Sequence, residues 1–487
     1  MSLFSEILSE YMDRSGYTVK ALAETAGYNS THLIKIKKGD RPAKERDKLN
    51  RLIAAMRLTP LEEERLLELW KMEQVGKDNY HRHMAVKALI ESLNRHIDVT
   101  PPVTDARSPE GLLYSGKENV RYMLHRILGS GTAEGGDRIC IMAQPEESMF
   151  SELLLALCSM EKPVSISHII SLFPGSAEKR HQIENLAYIQ NLLPCIMSNP
   201  DYEINYYYDD ISSMDNHYLV MPNVFLTSDS AVLVSKQWDN AVISRETEVI
   251  SFYRSMFEKQ LRVTRPFKNL IPSLFHEVEY LVPLANAGIC ENPDEFFYAV
   301  AQQPCITPYF TIDEAEYVSD EYENKQALLE IFLNQYQPYL KQSKLVQFFC
   351  ISGIRSFLKD GVVWELGKSI DPLPIHTRIK LLKAMCESAM AGDHRFCLIR
   401  EEELRLMPNA AMALYQSNYF TIHTRSEEDH ICSVNEGEIA NALREFFKYL
   451  PGSELVYSEK ESLSMVLEAI KAAEHEAMAS KLKLIVS

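Results

Sequence analysis

The sequence predicts a multidomain chain: an all-α head of five helices followed by an α/β body with room for two α/β subdomains. Three observations lead there. Through the first 75 residues, apolar side chains recur at three- and four-residue spacing. From about Leu112, short β-prone runs alternate with helical stretches. A chain of 487 residues is also too long for one ordinary core. The expected boundaries are 1–75 for the head, 76–111 for a connecting helix and proline-rich linker, 112–265 for a first α/β domain, and 266–487 for a second that ends in a helix.

Leu3 to Arg14 is the first predicted helix, with Leu3, Phe4, Ile7, Leu8 and Tyr11 on one side. Thr18 can cap the second, because its hydroxyl accepts an N–H that the first turn leaves unpaired. Leu22 and Ala26 then fall four apart on one face, and Ala23 is small enough for another helix to come close. Gly27 stands where that helix must stop, a position that often needs a left-handed backbone. Asn29 caps the third helix, whose apolar edge is Leu33 and Ile36. Gly39 closes it, and Pro42 cannot continue it. Glu45 to Met56 makes a fourth helix with Leu49, Leu52, Ile53 and Met56 inward. Thr59-Pro60 is a start signal, and Leu61, Leu66, Leu67, Leu69 and Trp70 carry a fifth helix to about Val75.

Two short helices meeting at a tight glycine turn form the unit that reads DNA. At roughly 100° per residue, the side of the third helix facing away from Leu33 and Ile36 carries Thr31, Ile34, Lys35 and Lys38. Asn29 and Ser30 lie at its tip. Hydroxyls and amides there can address base edges, lysines can reach phosphate, and Ile34 can lie against a thymine methyl. The bland alternative is a helical hairpin without a nucleic-acid role. The stretch resembles the helix-turn-helix of phage repressors and of the xenobiotic-response-element type of bacterial regulator. The matching residues are Leu22, Ala23, Ala26, Gly27, Asn29, Leu33, Ile36, Gly39, Arg41 and Pro42. The resemblance covers about the first 75 residues of 487. It implies contacts to double-stranded DNA from Lys20, Asn29, Ser30, Thr31, His32, Ile34, Lys35, Lys38 and Arg41. It also implies a homodimer on a palindromic operator, because one recognition helix covers too few bases for useful specificity.

Charge divides the chain in the same sense. Residues 1–57 hold eleven Lys/Arg against seven Asp/Glu, a net of +4, in a chain whose formal net is -17. A basic head on an acidic body touches DNA with one end only, and the acidic remainder argues against a wrapped complex. With 46% hydrophobic and 24% charged residues, the composition is that of an ordinary globular protein. The absence of a long apolar run and of a signal peptide predicts a cytoplasmic protein with no membrane partner. Nine singly scattered cysteines fit a reducing compartment.

Lys77 to Ile97 reads as a helix that joins head to body or meets a second copy, and residues 99–111 as a proline-rich linker. Asp137–Ala143 and Val164–Ile170 are predicted strands around a helix from Pro145 to Met160, a parallel βαβ unit. A helix from Glu178 to Leu193 follows. Strands are then expected at Tyr202–Tyr208, His217–Met221, Val224–Thr227, Ala231–Ser235 and Ala241–Ser244, with a closing helix from Glu246 to about Val263. The last part of this region, residues 225–261, resembles the end of phospholipase-D-like domains attached to some bacterial regulators, on its spaced strands and on Phe252 and Phe257. Catalytic members need His and Lys two apart with a downstream Asp. That spacing does not occur here, so the resemblance implies a body whose chemistry has been lost.

Beyond Arg265-Pro266, strands are expected at Ile306–Ile312, Leu345–Ile351, Phe396–Arg400 and Tyr419–His423. Helices are expected at Glu321–Leu340, Glu436–Tyr449 and Lys460–Leu484, and no residue-level repeat is visible. The stripe Leu463, Val466, Leu467, Ile470 and Ala473 suits docking on its own domain better than on a partner.

Other constellations favour their plainer readings. His81, His83 and His96 lack the four-residue spacing of helical metal ligands, and Cys386, His394 and Cys397 lack a CxxC pair. A redox-sensing thiol stays open. The glycine-rich residues 129–137 precede a strand instead of following one, which makes them a loop and not a phosphate cradle. Tyr206, Tyr207 and Tyr208 can rim a pocket or simply end a strand. No metal or other cofactor is implied. The expected function is a sequence-specific transcriptional regulator, not an enzyme, whose body senses a small-molecule, peptide or protein effector or mediates dimerisation. The rival readings are a DNA-targeted enzyme acting on nucleotides or phosphodiesters, and an antitoxin-like or phage-defence scaffold. A helical-repeat pheromone receptor fits poorly, because no fixed period is present.

Overall fold

The computed structural model describes residues 2–93, 111–130, 138–146, 148–159, 164–175, 179–199, 201–209, 221–271, 296–318, 344–406, 410–415, 419–425 and 429–486, with isolated residues between them. They fall into two units, Met1–Ala85 and Val86–Ser487. The expected strand His217–Met221, the proline-rich residues 99–110, His96, and most of the 129–137 loop and of the Glu321–Leu340 helix lie outside the described residues.

The first unit is helical. It contains α1 (Leu3–Arg14), α2 (Val19–Ala26), α3 (Ser30–Lys37), α4 (Arg46–Met56) and α5 (Pro60–Val75). A sixth helix, α6 (Lys77–Ser92), follows. Their starts are chemical. The Thr18 hydroxyl accepts from Ala21 N, Asn29 Oδ1 accepts from Thr31 N at 2.9 Å, and Thr59 and Glu62 bond reciprocally as a capping box. Gly27 ends α2 at φ 75°, where a side chain would be strained. The core gathers Phe4, Leu8, Leu22, Ala23, Ala26, Leu33, Ile36, Leu49, Leu52 and Leu66, all at most 1% exposed.

The second unit is α/β and holds two mixed sheets. The first part contains β1 (Leu113–Ser115), α7 (Lys117–Ser130), β2 (Ile139–Met142), α8 (Ser148–Cys158), β3 (Ile166–Leu172), α9 (Lys179–Ser198) and β4 (Tyr202–Tyr208). It continues with β5 (Asn223–Leu226), β6 (Ala231–Val234), β7 (Asn240–Ser244), α10 (Thr247–Leu261) and β8 (Arg265–Pro266). Their sheet order is β1-β7-β6-β5-β2-β3-β4-β8, with β2, β3 and β4 mutually parallel.

The second part contains β9 (Lys268–Ile271), β10 (Phe296–Ala301), β11 (Lys344–Phe349), α11 (Ile351–Asp360), α12 (Ile375–Ala391) and β12 (Arg395–Leu398). Then come β13 (Ala410–Leu414), β14 (Tyr419–Arg425), β15 (Asp429–Asn435), α13 (Gly437–Tyr449) and α14 (Glu459–Val486). The order is β12-β11-β10-β13-β14-β15-β9, with β10, β11 and β12 parallel.

The two parts repeat one plan. Three parallel strands are followed by a three-stranded antiparallel meander, added beside the first parallel strand and closed by a helix. The closing helices carry identical residues at matching positions: Glu248 with Glu438, Arg254 with Arg444, and Phe257 with Phe447. Residues 265–271 join the sheets. Arg265 and Pro266 pair with β4, Phe267 N donates to Ile204 O at 2.8 Å, and Lys268 to Ile271 pair with β15. Two residues of the tyrosine run, Tyr206 and Tyr208, belong to this seam. Tyr206 Oη donates to Asn435 O at 3.4 Å, and Tyr208 Oη donates to the Glu436 carboxylate.

One expected strand is absent. At Ile306–Ile312 the chain makes 3₁₀ turns, Thr307–Tyr309 and then Ile312–Tyr317. Pro308 offers no ladder donor, and the Ile306 and Thr307 N–H groups both donate to Glu365 Oε1 at 2.8 Å. The strand in this region is β10, the apolar run FFYAVA just upstream. The C-terminal helix docks on its own unit: Val466 and Ile470 are buried against α11, α12 and β12.

Candidate nucleic-acid interface

Helix α3 is held from one side. Leu33 and Ile36 are 0% and 1% exposed, whereas Ile34 on the opposite side is 40% exposed. Asn29, Thr31, Lys35, Lys38 and Arg41 are exposed, as is Lys20 on α2, and Ser30 is partly exposed. His32 lies at the border of this face, half-buried with its ring edge-on to Tyr28 at 5.8 Å. Lys37 points elsewhere and pairs with Asp13 of α1. Among the described residues, Lys20, Lys35, Lys38 and Arg41 have no acidic partner, so their charge is available to an anion.

The turn behind this face is hydrogen-bonded and packed. Gly27 N–H bonds back to α2, Tyr28 N donates to Ala23 O at 2.9 Å, and the Tyr28 ring is buried beneath Lys48 Nζ. Burial, reinforced by Glu45, pushes the Tyr28 hydroxyl up to about 12, so it stays protonated. Lys44 was not singled out in the sequence. It is exposed in the same loop as Arg41 and adds a cation there, though nothing in the local pattern separates it from other surface lysines.

The body has recesses of two kinds. An open groove of about 830 Å³ is lined by Ile351, Leu358, Ile375, Met465 and Ala469, with Arg355 and Glu468 among its polar residues. A smaller cavity of about 60 Å³ is bordered by Phe297, Ala299, Cys305, Trp364, Glu365 and His423. It has space for a few waters, well below the roughly 300 Å³ at which small-molecule sites begin. Burial raises the Glu365 carboxyl even though two N–H groups bond to it, and it pushes the Cys305 thiol well up. A protonated thiol is the reverse of an activated nucleophile. Among the described residues no group of His, Cys, Asp and Glu is arranged to hold a metal ion. His83 of α6 is buried and held neutral, down to about 4.

No family model and no curated protein matches this chain. Solved structures similar to it include TrmBL2, an archaeal chromatin protein with a novel mode of DNA binding, at 11% identity and a TM-score of 0.19, over 55% of this chain and 94% of that one. Polyphosphate kinase from Porphyromonas gingivalis aligns at 9% identity and TM-score 0.22, over 73% and 54% of the two chains. Phosphatidylserine synthase from Haemophilus influenzae Rd KW20 aligns at 8% and 0.23, over 77% and 94%. Similarities of this depth carry no conclusion about this chain. No helix among the described residues is long and apolar enough to cross a membrane.

Proposed function

We propose that this protein is a sequence-specific DNA-binding transcriptional regulator, acting as a homodimer, with a non-catalytic α/β body that receives an effector signal. One observation carries the reading. The capped helix α3 is anchored by Leu33 and Ile36, its opposite side offers Thr31, Ile34, Lys35 and Lys38 to solvent, and Asn29 is exposed at its tip. An amide, a hydroxyl, a branched apolar group and two cations on one short helix face and its tip are what base edges, thymine methyls and phosphates require.

The internal duplication supports the regulatory half of the proposal. Two similar α/β repeats joined at a seam form a large body that a binding head does not need for folding. The 830 Å³ groove is the first place to look for the effector. Footprinting at low salt on DNA flanking the protein's own gene tests the reading. Protection weakened by Lys35→Ala supports it, and no binding by the unaltered protein overturns it.

A further inference from the structure

Helix α10 closes the first repeat as α13 closes the second, yet their outward sides differ. Phe252 and Met256 are 60% and 46% exposed, while the corresponding Ala442 and Phe446 are 2% and 0% exposed. Helix α13 packs against α9 as well as against its own sheet; α10 rests on β2, β5 and β6 by the side that carries Ile250 and Phe257. At 100° per residue, Glu248, Phe252, Met256 and Lys259 form one stripe roughly 80° wide, and all four are exposed.

The stripe is self-complementary when turned around. An acid stands at its N-terminal end, a base at its C-terminal end, and two large apolar side chains lie between. If a second α10 lies antiparallel across a two-fold axis near the middle of the helix, Phe252 meets the partner copy's Met256. Glu248 then meets the partner copy's Lys259, and each contact occurs twice, as an isologous interface demands. The two helix dipoles also oppose favourably in that arrangement. An anionic surface would not favour Glu248 in such a stripe.

From this self-complementarity we infer that the α10 face is the surface through which two copies of this chain associate. The inference deepens the two-copy element of the function proposed above and is independent of which residues touch DNA. Such a single-helix contact falls below the roughly 1,200 Å² of stable interfaces, so association in the micromolar range is expected.

The test is sedimentation velocity on the full chain over about 1–100 μM. The unaltered protein should dimerise, and Phe252→Glu should weaken association at least about thirtyfold. Glu248→Lys alone and Lys259→Glu alone should each weaken it by roughly tenfold, because like charges then meet twice. The double reversal should restore it to within about threefold. That rescue, with unchanged circular dichroism, separates a lost contact from a lost fold. A dimer indifferent to Phe252→Glu, or single reversals without rescue, would overturn the α10 assignment and leave the two-copy reading standing. A monomer at every concentration would overturn both. A Lys35→Ala variant should stay dimeric while binding DNA more weakly, so failure of the DNA reading would leave the interface untouched.

Discussion

Arg254 on α10 donates through Nη2 to the carbonyl oxygen of Thr227 at 2.9 Å, immediately beyond the end of β5. The relationship recurs in the second repeat: Arg444 on α13 donates to Tyr415 O at 3.1 Å, immediately beyond β13. In each case a guanidinium fastens the closing helix to the strand nearest the parallel half of its sheet. The repeated topology is therefore matched by a repeated interaction.

Arg254→Met and Arg444→Met should accordingly destabilise the body by similar amounts. Each loses the hydrogen bond from a charged donor to a strand-end carbonyl, worth about 1.5–3 kcal/mol, together with a weaker side-chain contact, from Arg254 to Cys140 and from Arg444 to Asn441. Urea denaturation followed by circular dichroism would read this as parallel shifts in midpoint. A large loss for one arginine and none for the other would mean that the two contacts are not equivalent.

How much of this was legible beforehand depended on the reach of each interaction. The first helices were readable because their determinants are local: Thr18 and Asn29 cap helices within three residues, and Gly27 ends one by its own backbone angle. The α/β character was readable for the same reason. The repeat was not, since it survives at scattered positions such as Arg254 and Arg444. The strand expected at Ile306–Ile312 failed because its N–H groups are taken by Glu365, far along the chain. The seam role of Tyr206 and Tyr208 likewise depends on Asn435 and Glu436, which no local pattern announces. At the candidate site, the exposed face was predictable from spacing, but the border position of His32 against Tyr28 required coordinates.

On the DNA face, Lys35→Ala should weaken binding to all sequences alike and lower the salt dependence of log K by about 0.9. Thr31→Ala should leave that slope unchanged and relax preference at one base position by about 1–3 kcal/mol. Fluorescence anisotropy titrations at several salt concentrations, on selected and scrambled duplexes, distinguish the two effects. Equal slopes for Lys35→Ala and the unaltered protein would remove that lysine from the contact set.

His168 gives the body a pH dependence. It is buried in β3, with Nδ1 at 2.7 Å from Tyr202 Oη and Nε2 at 2.8 Å from Ala143 O. With Nε2 protonated the ring donates to Ala143 O and accepts from the tyrosine, which satisfies both nitrogens in the neutral form. Burial holds its pKa down to about 4, against an ordinary value of 6.5. Between those values the unfolded chain binds more protons than the folded one, so stability is fully present above about pH 6.5 and falls as pH drops toward 4. The loss is on the order of 3 kcal/mol. Denaturation midpoints at pH 7.5 and 5 should converge more for His168→Gln than for the unaltered protein. An identical pH dependence in both would show that this ring does not titrate on unfolding.

Among the described glycines, Gly353 makes the tightest backbone approach in the second repeat. It lies on α11 just after β11, and a Cβ placed there would stand 1.9 Å from Gln302 O. That carbonyl cannot withdraw freely, because it accepts from Cys350 N at 3.0 Å and fixes the loop that leads from β10 toward Cys305. Gly353→Ala should therefore force α11 off the sheet edge and cost about 2–4 kcal/mol, an overpacking penalty that exceeds alanine's gain of roughly 1 kcal/mol in helix propensity. Gly392→Ala offers the contrast. A Cβ there meets nothing within 4 Å, and its penalty comes only from φ 83° at the end of α12, about 1–2 kcal/mol. If urea denaturation found Gly353→Ala no less stable than Gly392→Ala, the close packing of α11 on the β10 loop would have to be abandoned.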